Sequence, residues 1–314
     1  MTNKLVTVVG SYNVGLFLKG ERLPALGETQ IGDKFHEGGG GKGSNQAIAA
    51  AMLGADVRFI GKIGCDKYGQ DALRLYDEKG VSRASIKIDG SIHTGISVII
   101  IDDDGNNLIS VVPGANLRLT REELEAERDV IGRSRIIGFQ LESDPGVVVH
   151  GIKMADSMGV QTLLDPAPVQ PLPEDVYPHL AYIKPNEHEA AALTGVKVKD
   201  EDSAERAARV FLDKGVKNVI VTLGEKGCVR VNPAGTKVFP GIRVEVQDTT
   251  GAGDCFSGGF MAALSAGADP DDAIVYANCA ASLSVTRLGV IESLPTREEV
   301  WEHMHALGMV VPAF

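Results

Sequence analysis

An alternation of short apolar, β-branched runs with longer helical patterns most constrains the fold of this chain. Runs with the composition of strands lie at residues 5–9, 57–60, 136–141, 162–164, 182–183 and 219–223. Several are apolar throughout, as parallel strands covered on both faces are. Helical patterns lie between them, at 46–53, 187–193, 203–214 and 271–285, and a capping box of Thr120 and Glu123 opens another. This order predicts an α/β fold, a doubly wound and mostly parallel sheet with helices on both faces.

Two segments interrupt this order and have the pattern of a small separate sheet. Residues 14–36 contain Gly, Pro and alternating apolar positions without a helical pattern, and residues 94–112 contain two strand runs around a turn rich in Asp and Asn. Such a turn between strand runs predicts a hairpin. We therefore expect an α/β domain formed by 1–13, 37–93 and 113–314. The segments 14–36 and 94–112 would form a β-lid that covers a site or makes a dimer interface.

Composition argues against several classes of protein. The 314 residues include 42 acidic and 31 basic ones, which gives a net charge of −11. Such a charge repels phosphate backbones and argues against nucleic-acid binding, although helix N-termini can still bind a small anion. No apolar run reaches the ~18 residues that span a bilayer, and the N-terminus has the pattern of a strand rather than of a signal peptide. Four widely spaced cysteines predict a reducing, cytoplasmic location and no structural metal.

Residues 248–254 read Asp-Thr-Thr-Gly-Ala-Gly-Asp and directly precede a helical pattern. Gly251, Ala252 and Gly253 would then lie at the first helical turn, where N–H groups are free and the helix dipole is positive. This arrangement suits a phosphoryl group, and Asp254 beside it could take a proton from an attacking hydroxyl. The alternative is a glycine-rich turn with an ordinary capping Asp, and the spacing alone does not decide between the two.

Four consecutive glycines at 38–41 precede Lys42, and the chain continues through Asn45 into a helical pattern. The segment is not a Walker A loop, because Gly43 rather than Ser or Thr follows the lysine. Glycines nevertheless let the backbone approach a polar ligand closely, with Lys42 and Asn45 as donors. The less favoured alternative is a loop in which the glycines only turn the chain.

Further candidate residues lie where predicted strands end. Asn13 and Gly15 follow the first strand and Glu142 follows another. Open α/β sheets bind ligands at this edge, although an exposed loop position for Glu142 is an equal alternative. The turn 222–227 between two strand runs could approach nucleotide phosphates or could simply reverse the chain.

Asn186 and Glu189 are spaced i, i+3 at the start of a predicted helix. On one face of that helix they suit Mg²⁺, bound directly or through water. An N-cap Asn with a Glu in the first turn explains the same spacing. Taken alone, the capping interpretation is favoured.

Together these motifs resemble those of the ribokinase-like (PfkB) sugar kinases, over residues 9–295. The resemblance covers nearly the whole chain, and the 248–254 motif is highly specific for the family. The six matching motifs occur in the family's order, at 40–45, 140–142, 165–168, 185–189, 222–227 and 248–254.

The resemblance implies an ATP-dependent phosphotransferase that acts on the terminal primary hydroxyl of a small sugar, with ribose as the first candidate. It makes Asp254 the general base and the amides of Gly251, Ala252 and Gly253 an anion hole. Sugar contacts would come from Asn13, Gly41, Lys42, Asn45, Glu142 and Asp254. Nucleotide contacts would come from Asn186, Thr222, Gly224, Gly227 and Asn278.

The resemblance also implies two kinds of metal ion and a dimer. Asn186 and Glu189 would hold Mg²⁺, largely through water. A monovalent cation, K⁺, would bind beside the anion hole, partly through backbone carbonyls, at Asp248, Thr250, Ser284, Arg287, Gly289 and Ser293. The β-lid would join two copies in a homodimer.

Gly15 departs from the family pattern, which usually has a sugar-binding Asp at this position. Loss of that carboxylate forfeits roughly 1.5–3 kcal/mol of binding to sugar hydroxyls. The substrate could therefore be ribose, another pentose, a ketose or a sugar acid. A nucleoside kinase is less favoured because only 5% of the residues are aromatic. A non-catalytic sugar sensor is disfavoured because it has no need of Asp254.

Overall fold

A nine-stranded sheet forms the centre of the structure, a computed structural model in which residues 5–104 and 106–310 are described. Its strands are β1 Leu5–Val9, β4 Asp56–Gly64, β5 Val81–Asp89, β8 Ser134–Phe139, β9 Gln161–Leu164, β10 Tyr182–Ile183, β11 Asn218–Thr222, β12 Gly227–Asn232 and β13 Gly235–Pro240. They lie in the order β13-β12-β11-β10-β9-β8-β1-β4-β5. All neighbouring pairs from β5 to β11 are parallel, and β12 and β13 add an antiparallel edge. The predicted doubly wound, mostly parallel sheet is confirmed.

Helices cover both faces of this sheet. They are α1 Lys42–Met52, α2 Lys67–Glu78, α3 Arg121–Glu125, α4 Arg128–Gly132, α5 Pro145–Ser157, α6 Glu187–Thr194, α7 Glu201–Asp213, α8 Ala252–Ala266, α9 Pro270–Ser284 and α10 Arg297–Ala306. One core lies under α1, α2, α8, α9 and α10, and a second core on the opposite face lies under α3 to α7. No helix in the described ranges is long and apolar enough to cross a membrane.

Four further strands form a second, smaller sheet in the two segments where the sequence predicts one. These are β2 Asn13–Lys19, β3 Lys34–Gly40, β6 Gly95–Ile101 and β7 Asn107–Val112, in the order β3-β2-β6-β7. The hairpin in 94–112 is confirmed, because β6 and β7 pair antiparallel. The proposed division into an α/β domain and a β-lid stays a prediction, and its residues 1–4, 105 and 311–314 lie outside the described residues.

Several element boundaries differ from the sequence-based ones for reasons of pairing or capping. The glycine run 38–41 is not simply a loop, because three of its residues pair with β2 and end strand β3. The helix expected at 46–53 begins at Lys42. The helix expected at 203–214 begins at Glu201, where the Asp200 side chain accepts the Ser203 N–H and caps it. The strand expected to reach residue 141 ends at Phe139, which frees Glu142 for the site.

The strand order places a crevice at the carboxyl end of β1. The chain first builds β4 and β5 on one side of β1 and then builds β8 to β13 on the other side. The strand order therefore reverses direction at β1, and the loops that follow β1 and its neighbour lead to opposite sides. Open α/β sheets bind ligands in the gap that forms at such a reversal. The start of α1 and the residues after β1 and β8 meet in this gap.

Candidate active site

The start of α8 presents free backbone N–H groups. Gly251 caps the helix with φ +80°, a left-handed conformation that favours glycine, and an added Cβ would lie 2.8 Å from Val290. Of the three predicted anion-hole amides, Ala252 donates to the Thr249 carbonyl at 3.3 Å. The N–H groups of Gly251 and Gly253 have no acceptor in the part of the chain that the structure describes. Free donors at the positive end of a 15-residue helix suit an anion.

Asp254 lies in the first turn of α8 and is held by two amide side chains from α1. It is 6% exposed, and Asn45 Nδ2 donates to its Oδ2 at 2.8 Å. Gln46 Nε2 donates to the other oxygen, Oδ1, at 3.1 Å. A carboxylate that accepts two hydrogen bonds beside free N–H groups can take a proton from a hydroxyl. Gln46 is a site residue that the sequence analysis did not identify, because nothing local distinguishes it from a core glutamine.

Asn45 carries a polar atom that the protein leaves without a partner. The residue is 7% exposed, and its Oδ1 has no hydrogen-bond partner among the described residues. A buried acceptor without a donor costs free energy, so such atoms in native structures usually mark a bound water or ligand. Since Asn45 Nδ2 binds Asp254, the free oxygen lies beside the candidate base and suits a ligand hydroxyl.

Gly41 allows α1 to begin directly against the end of β1. Its φ is +92°, and a Cβ there would lie 2.8 Å from the Asn13 backbone nitrogen, which leaves no room for a side chain. The next residue, Lys42, donates its N–H to Glu142 Oε2 at 2.9 Å. Asp254 above all, with Asp165 and Glu142, raises the pKa of the Lys42 ammonium although burial opposes this. Lys42 is therefore a firmly charged cation in the crevice.

Glu142 lies inside the crevice, so the alternative of an exposed loop position is wrong. Its Oε2 accepts hydrogen bonds from Ser11 Oγ at 2.6 Å and from Asn13 Nδ2 at 3.3 Å. Asn13 is oriented in turn by Asn116 Nδ2, which donates to Asn13 Oδ1 at 2.8 Å. Ser11 and Asn116 are further residues that the sequence analysis missed, and Asn116 has no sequence signal because it is 103 positions from its partner.

A cavity of about 330 Å³ adjoins this cluster and brings the predicted nucleotide residues together. Asn186 and Thr222 face each other in a parallel bridge at its wall. Asn278 reaches the same wall from α9 and donates to the Pro240 carbonyl at 3.3 Å. The lining residues include Lys42, Lys184, Asn186, Glu189, Thr222, Gly224, Gly227, Gly251, Ala252, Gly253, Asp254 and Asn278.

Asn186 and Glu189 form a capping box, so the capping interpretation of their spacing is confirmed. Asn186 Oδ1 accepts the Glu189 N–H at 2.9 Å, while Asn186 donates from its N–H and its Nδ2 to the two Glu189 oxygens. Burial, and then the charge of Asp165, raise the pKa of Glu189. No cluster of three or more His, Cys, Asp or Glu within 5–104 and 106–310 is arranged to hold a metal ion. The site thus fits Mg²⁺ only as an ion that keeps waters and phosphate oxygens as ligands.

The residues expected around a monovalent cation lie on two segments that meet beside the start of α8, namely the loop 248–250 and the stretch from the end of α9 to residue 293. Asp248 joins the segments, because its Oδ1 accepts the Thr250 N–H at 2.9 Å and its Oδ2 accepts the Gly289 N–H at 3.2 Å. The Arg287 guanidinium binds Glu299 at 2.6 Å, which leaves its backbone carbonyl as the group for a cation. Ser284 and Ser293 lie on the second of these segments, and their hydroxyls donate to carbonyls one turn earlier.

Gly15 lies on β2 opposite Gly38 of β3 and Ser97 of β6. The ring of Phe17 folds back over it, so that a Cβ at position 15 would lie 2.6 Å from the ring. An aromatic surface therefore occupies the space where the family's usual acidic side chain would begin.

Comparison with known proteins agrees with this geometry. The family described as pfkB family carbohydrate kinase matches residues 3–297. Ribokinase of Haemophilus influenzae is 38% identical over 301 residues, which cover 96% of this chain and 98% of the relative. Deoxyribokinase of Salmonella typhi is 33% identical over 300 residues, which cover 95% and 98% of the two chains.

A solved structure shares the whole fold. The structure of Arabidopsis thaliana ribokinase complexed with ribose and ATP superposes with a TM-score of 0.90 at 30% identity, covering 97% of this chain and 99% of the other. The resemblance drawn from the six motifs is confirmed. The chain belongs to the pfkB family of carbohydrate kinases.

Proposed function

We propose that this protein is an ATP-dependent kinase that phosphorylates the terminal primary hydroxyl of ribose, giving ribose 5-phosphate and ADP. The observation that carries the proposal is the Asp254 carboxylate, fixed at the free N–H groups of α8 beside the unpartnered Asn45 oxygen. The ribokinase relative at 38% identity and the ribokinase structure with ribose and ATP support ribose as the sugar.

The reaction needs one proton transfer and one phosphoryl transfer. Asp254 accepts the proton of the sugar hydroxyl, whose oxygen attacks the γ-phosphorus while the bond to the β-phosphate oxygen breaks and ADP leaves. The amides of Gly251, Ala252 and Gly253 surround the equatorial oxygens as the anion hole, with the helix dipole behind them. Lys42, whose ammonium lines the cavity and is kept charged chiefly by Asp254, supplies a positive charge on the same side.

The sugar is held by groups that line the end of β1. Asn45 Oδ1 and Glu142 Oε1 accept hydroxyl protons, since neither atom has a hydrogen bond in the described residues. Asn13 and Lys42 donate to sugar oxygens, and Gly41 lets the ring approach the backbone. Hydrogen bonds to Asn116 and Ser11 fix the positions of Asn13 and Glu142 before any sugar binds.

The nucleotide occupies the adjoining cavity, against Asn186, Thr222, Gly224, Gly227 and Asn278. Asn186 and Glu189 would hold Mg²⁺ through water, and the ion would neutralise charge on the phosphate oxygens. A monovalent cation, K⁺, would be held among Asp248, Thr250, Ser284, Arg287, Gly289 and Ser293, on segments that Asp248 already joins by hydrogen bonds.

The second sheet serves as the lid and as the surface of a homodimer. It exposes large apolar side chains on three of its four strands, β2, β3 and β7, which is unusual for a surface that stays in water. These are Leu18, Phe35, Leu108, Ile109, Val111 and Val112. We also infer a cytoplasmic location, which the four free cysteine thiols support.

A second candidate substrate is 2-deoxyribose. The Phe17 ring over Gly15 presents an apolar surface where the family usually has a hydroxyl acceptor, and this favours a sugar with fewer hydroxyls. The deoxyribokinase relative at 33% identity supports the same alternative.

The experiment that tests the function is ADP release with Mg·ATP and K⁺ across ribose, 2-deoxyribose, other pentoses, ketoses, sugar acids and nucleosides. We expect the highest kcat/KM on ribose. A preference for another compound would identify that compound as the substrate instead of ribose, and the assignment of kinase activity would still hold. Sugar binding without turnover on any member of the panel would favour the non-catalytic sensor.

A further inference from the structure

A buried ion pair lies at the wall of the candidate nucleotide cavity, at the ends of two neighbouring parallel strands. Asp165 follows β9 and Lys184 follows β10. Their side chains are each 4% exposed, and Lys184 Nζ lies 3.0 Å from Asp165 Oδ2. Burying two charges carries a desolvation cost that their attraction need not repay, so such a pair is weak evidence of a role in stability alone.

Hydrogen bonds connect this pair to both parts of the catalytic centre. Lys184 Nζ also donates to the Gly253 carbonyl at 3.2 Å, in the first turn of α8. Gln46 Nε2 donates to Asp165 Oδ2 at 2.9 Å and to Asp254 Oδ1 at 3.1 Å. A single side-chain amide therefore bridges the candidate base and a second buried carboxylate.

The orientation of the bridging amide is fixed from the other side. Gln140 Nε2 donates to Gln46 Oε1 at 2.6 Å, which forces Gln46 to turn its NH₂ group toward the two carboxylates. Ser257 Oγ, one turn further along α8, donates to Asp165 Oδ2 at 3.3 Å. Asp165 thus accepts from α1, α8 and the end of β10 at once, and it locks these elements together.

The charges around Asp254 explain why Lys184 has to be a cation. Besides Asp165 and Lys184, the charged groups that face this cluster are Lys42 at the start of α1, Glu142 after β8 and Glu189 of α6. Glu187 and His188 line the cavity farther along its wall. Without Lys184, the carboxylates of Asp165, Asp254, Glu142 and Glu189 would face Lys42 alone. Crowded carboxylates favour protonation, and they repel an incoming phosphoryl group.

We propose that Asp165, Lys184 and Gln46 form a positioning unit for phosphoryl transfer. It fixes the Asp254 carboxylate relative to the first turn of α8, and Lys184 cancels the charge of Asp165 so that Asp254 and the anion hole do not face a second, uncompensated negative charge. Asp165 and Lys184 also line the cavity proposed for the nucleotide, whereas Gln46 acts through its hydrogen bonds to Asp165 and Asp254. The proposal deepens the proposed function and rests on it for its kinetic consequences.

The test compares Lys184→Met, Asp165→Asn and the double variant, with Lys153→Met as the matched control because Lys153 forms an exposed ion pair with Asp175. kcat, both KM values, the pH profile of kcat/KM and the midpoint of thermal unfolding are measured on the full-length protein. We expect Lys184→Met to lower kcat at least about tenfold and to leave the sugar KM within about threefold. The acidic limb of its kcat/KM pH profile should shift to higher pH by about one unit.

The double variant separates a charge role from a merely structural one. With both charges removed we expect the acidic limb to return to the wild-type position and kcat to recover most of its loss. An unmoved acidic limb in a folded Lys184→Met enzyme, or a double variant no better than the single one, would overturn the proposal. If Lys184→Met does not fold, Gln46→Met breaks the bridge without a charge change, and wild-type kcat in that variant would overturn the proposal equally.

A substrate-free measurement keeps this proposal distinct from the assignment of the reaction. The titration of the Asp254 carboxyl carbon is followed by ¹³C NMR in enzyme labelled at aspartate. We expect Lys184→Met to move that titration to higher pH and the double variant to restore it. Restoration without any sugar turnover would contradict the proposed function but support the charge coupling, and an unchanged titration would refute the coupling whatever the substrate.

Discussion

Asp254→Asn is the sharpest test of the proposed chemistry because it removes the base with almost no change in shape. General-base catalysis contributes about 10²- to 10⁴-fold, which corresponds to roughly 2.7–5.5 kcal/mol in the barrier. The amide can keep only one of the two hydrogen bonds that the carboxylate accepts from Asn45 at 2.8 Å and Gln46 at 3.1 Å. That loss costs about 1–3 kcal/mol of stability, partly offset because no charge is then buried.

The assay is ADP release at saturating Mg·ATP, with sugar affinity measured separately by calorimetry. We expect kcat to fall by two to four decades, sugar affinity to change less than about tenfold, and the unfolding midpoint to move by only a few degrees. Asp175→Asn, at a largely exposed aspartate, is the control and should behave as wild type. A turnover within tenfold of wild type in a folded Asp254→Asn enzyme would show that another group takes the proton.

Three further predictions follow from the same geometry. Gly41→Ala should lower the free energy of unfolding in denaturant by more than about 2 kcal/mol, because its Cβ would meet the Asn13 backbone. The control is Gly80→Ala, where φ is +72° but the space is open, and it should cost only about 1 kcal/mol. With ribose as the substrate, Gly15→Asp should lower the KM for ribose by one to two decades once the Phe17 ring turns aside to admit the carboxylate. An unchanged KM would argue that position 15 does not face the sugar. Turnover should depend on K⁺, and equal rates with K⁺, Na⁺ and a large organic cation would contradict the proposed monovalent site.

Local features of the sequence were sufficient to predict most of the elements and the family. The run that forms β1 is buried from Val6 to Val9, as its composition predicts, and the capping box of Thr120 and Glu123 involves residues three positions apart. The same locality made the Asn186 and Glu189 pair ambiguous, because a cap and a metal site require the same spacing. The motifs around Gly41 and Asp254 carry strong information because tight backbone approach restricts which residues can stand there.

The composition of the site depends on which strands become neighbours. Gln46 bridges Asp165 and Asp254, which lie 119 and 208 positions away, and Ser11 binds Glu142 at a separation of 131. No local pattern specifies such contacts, because the strand order around β1 and the register of each pair decide which loops meet. The sequence by itself determined the fold class, most of the strands and helices apart from their exact ends, and the chemistry that the motifs can perform. Only the tertiary structure decided which polar atoms are paired and which, like Asn45 Oδ1, remain free for a ligand.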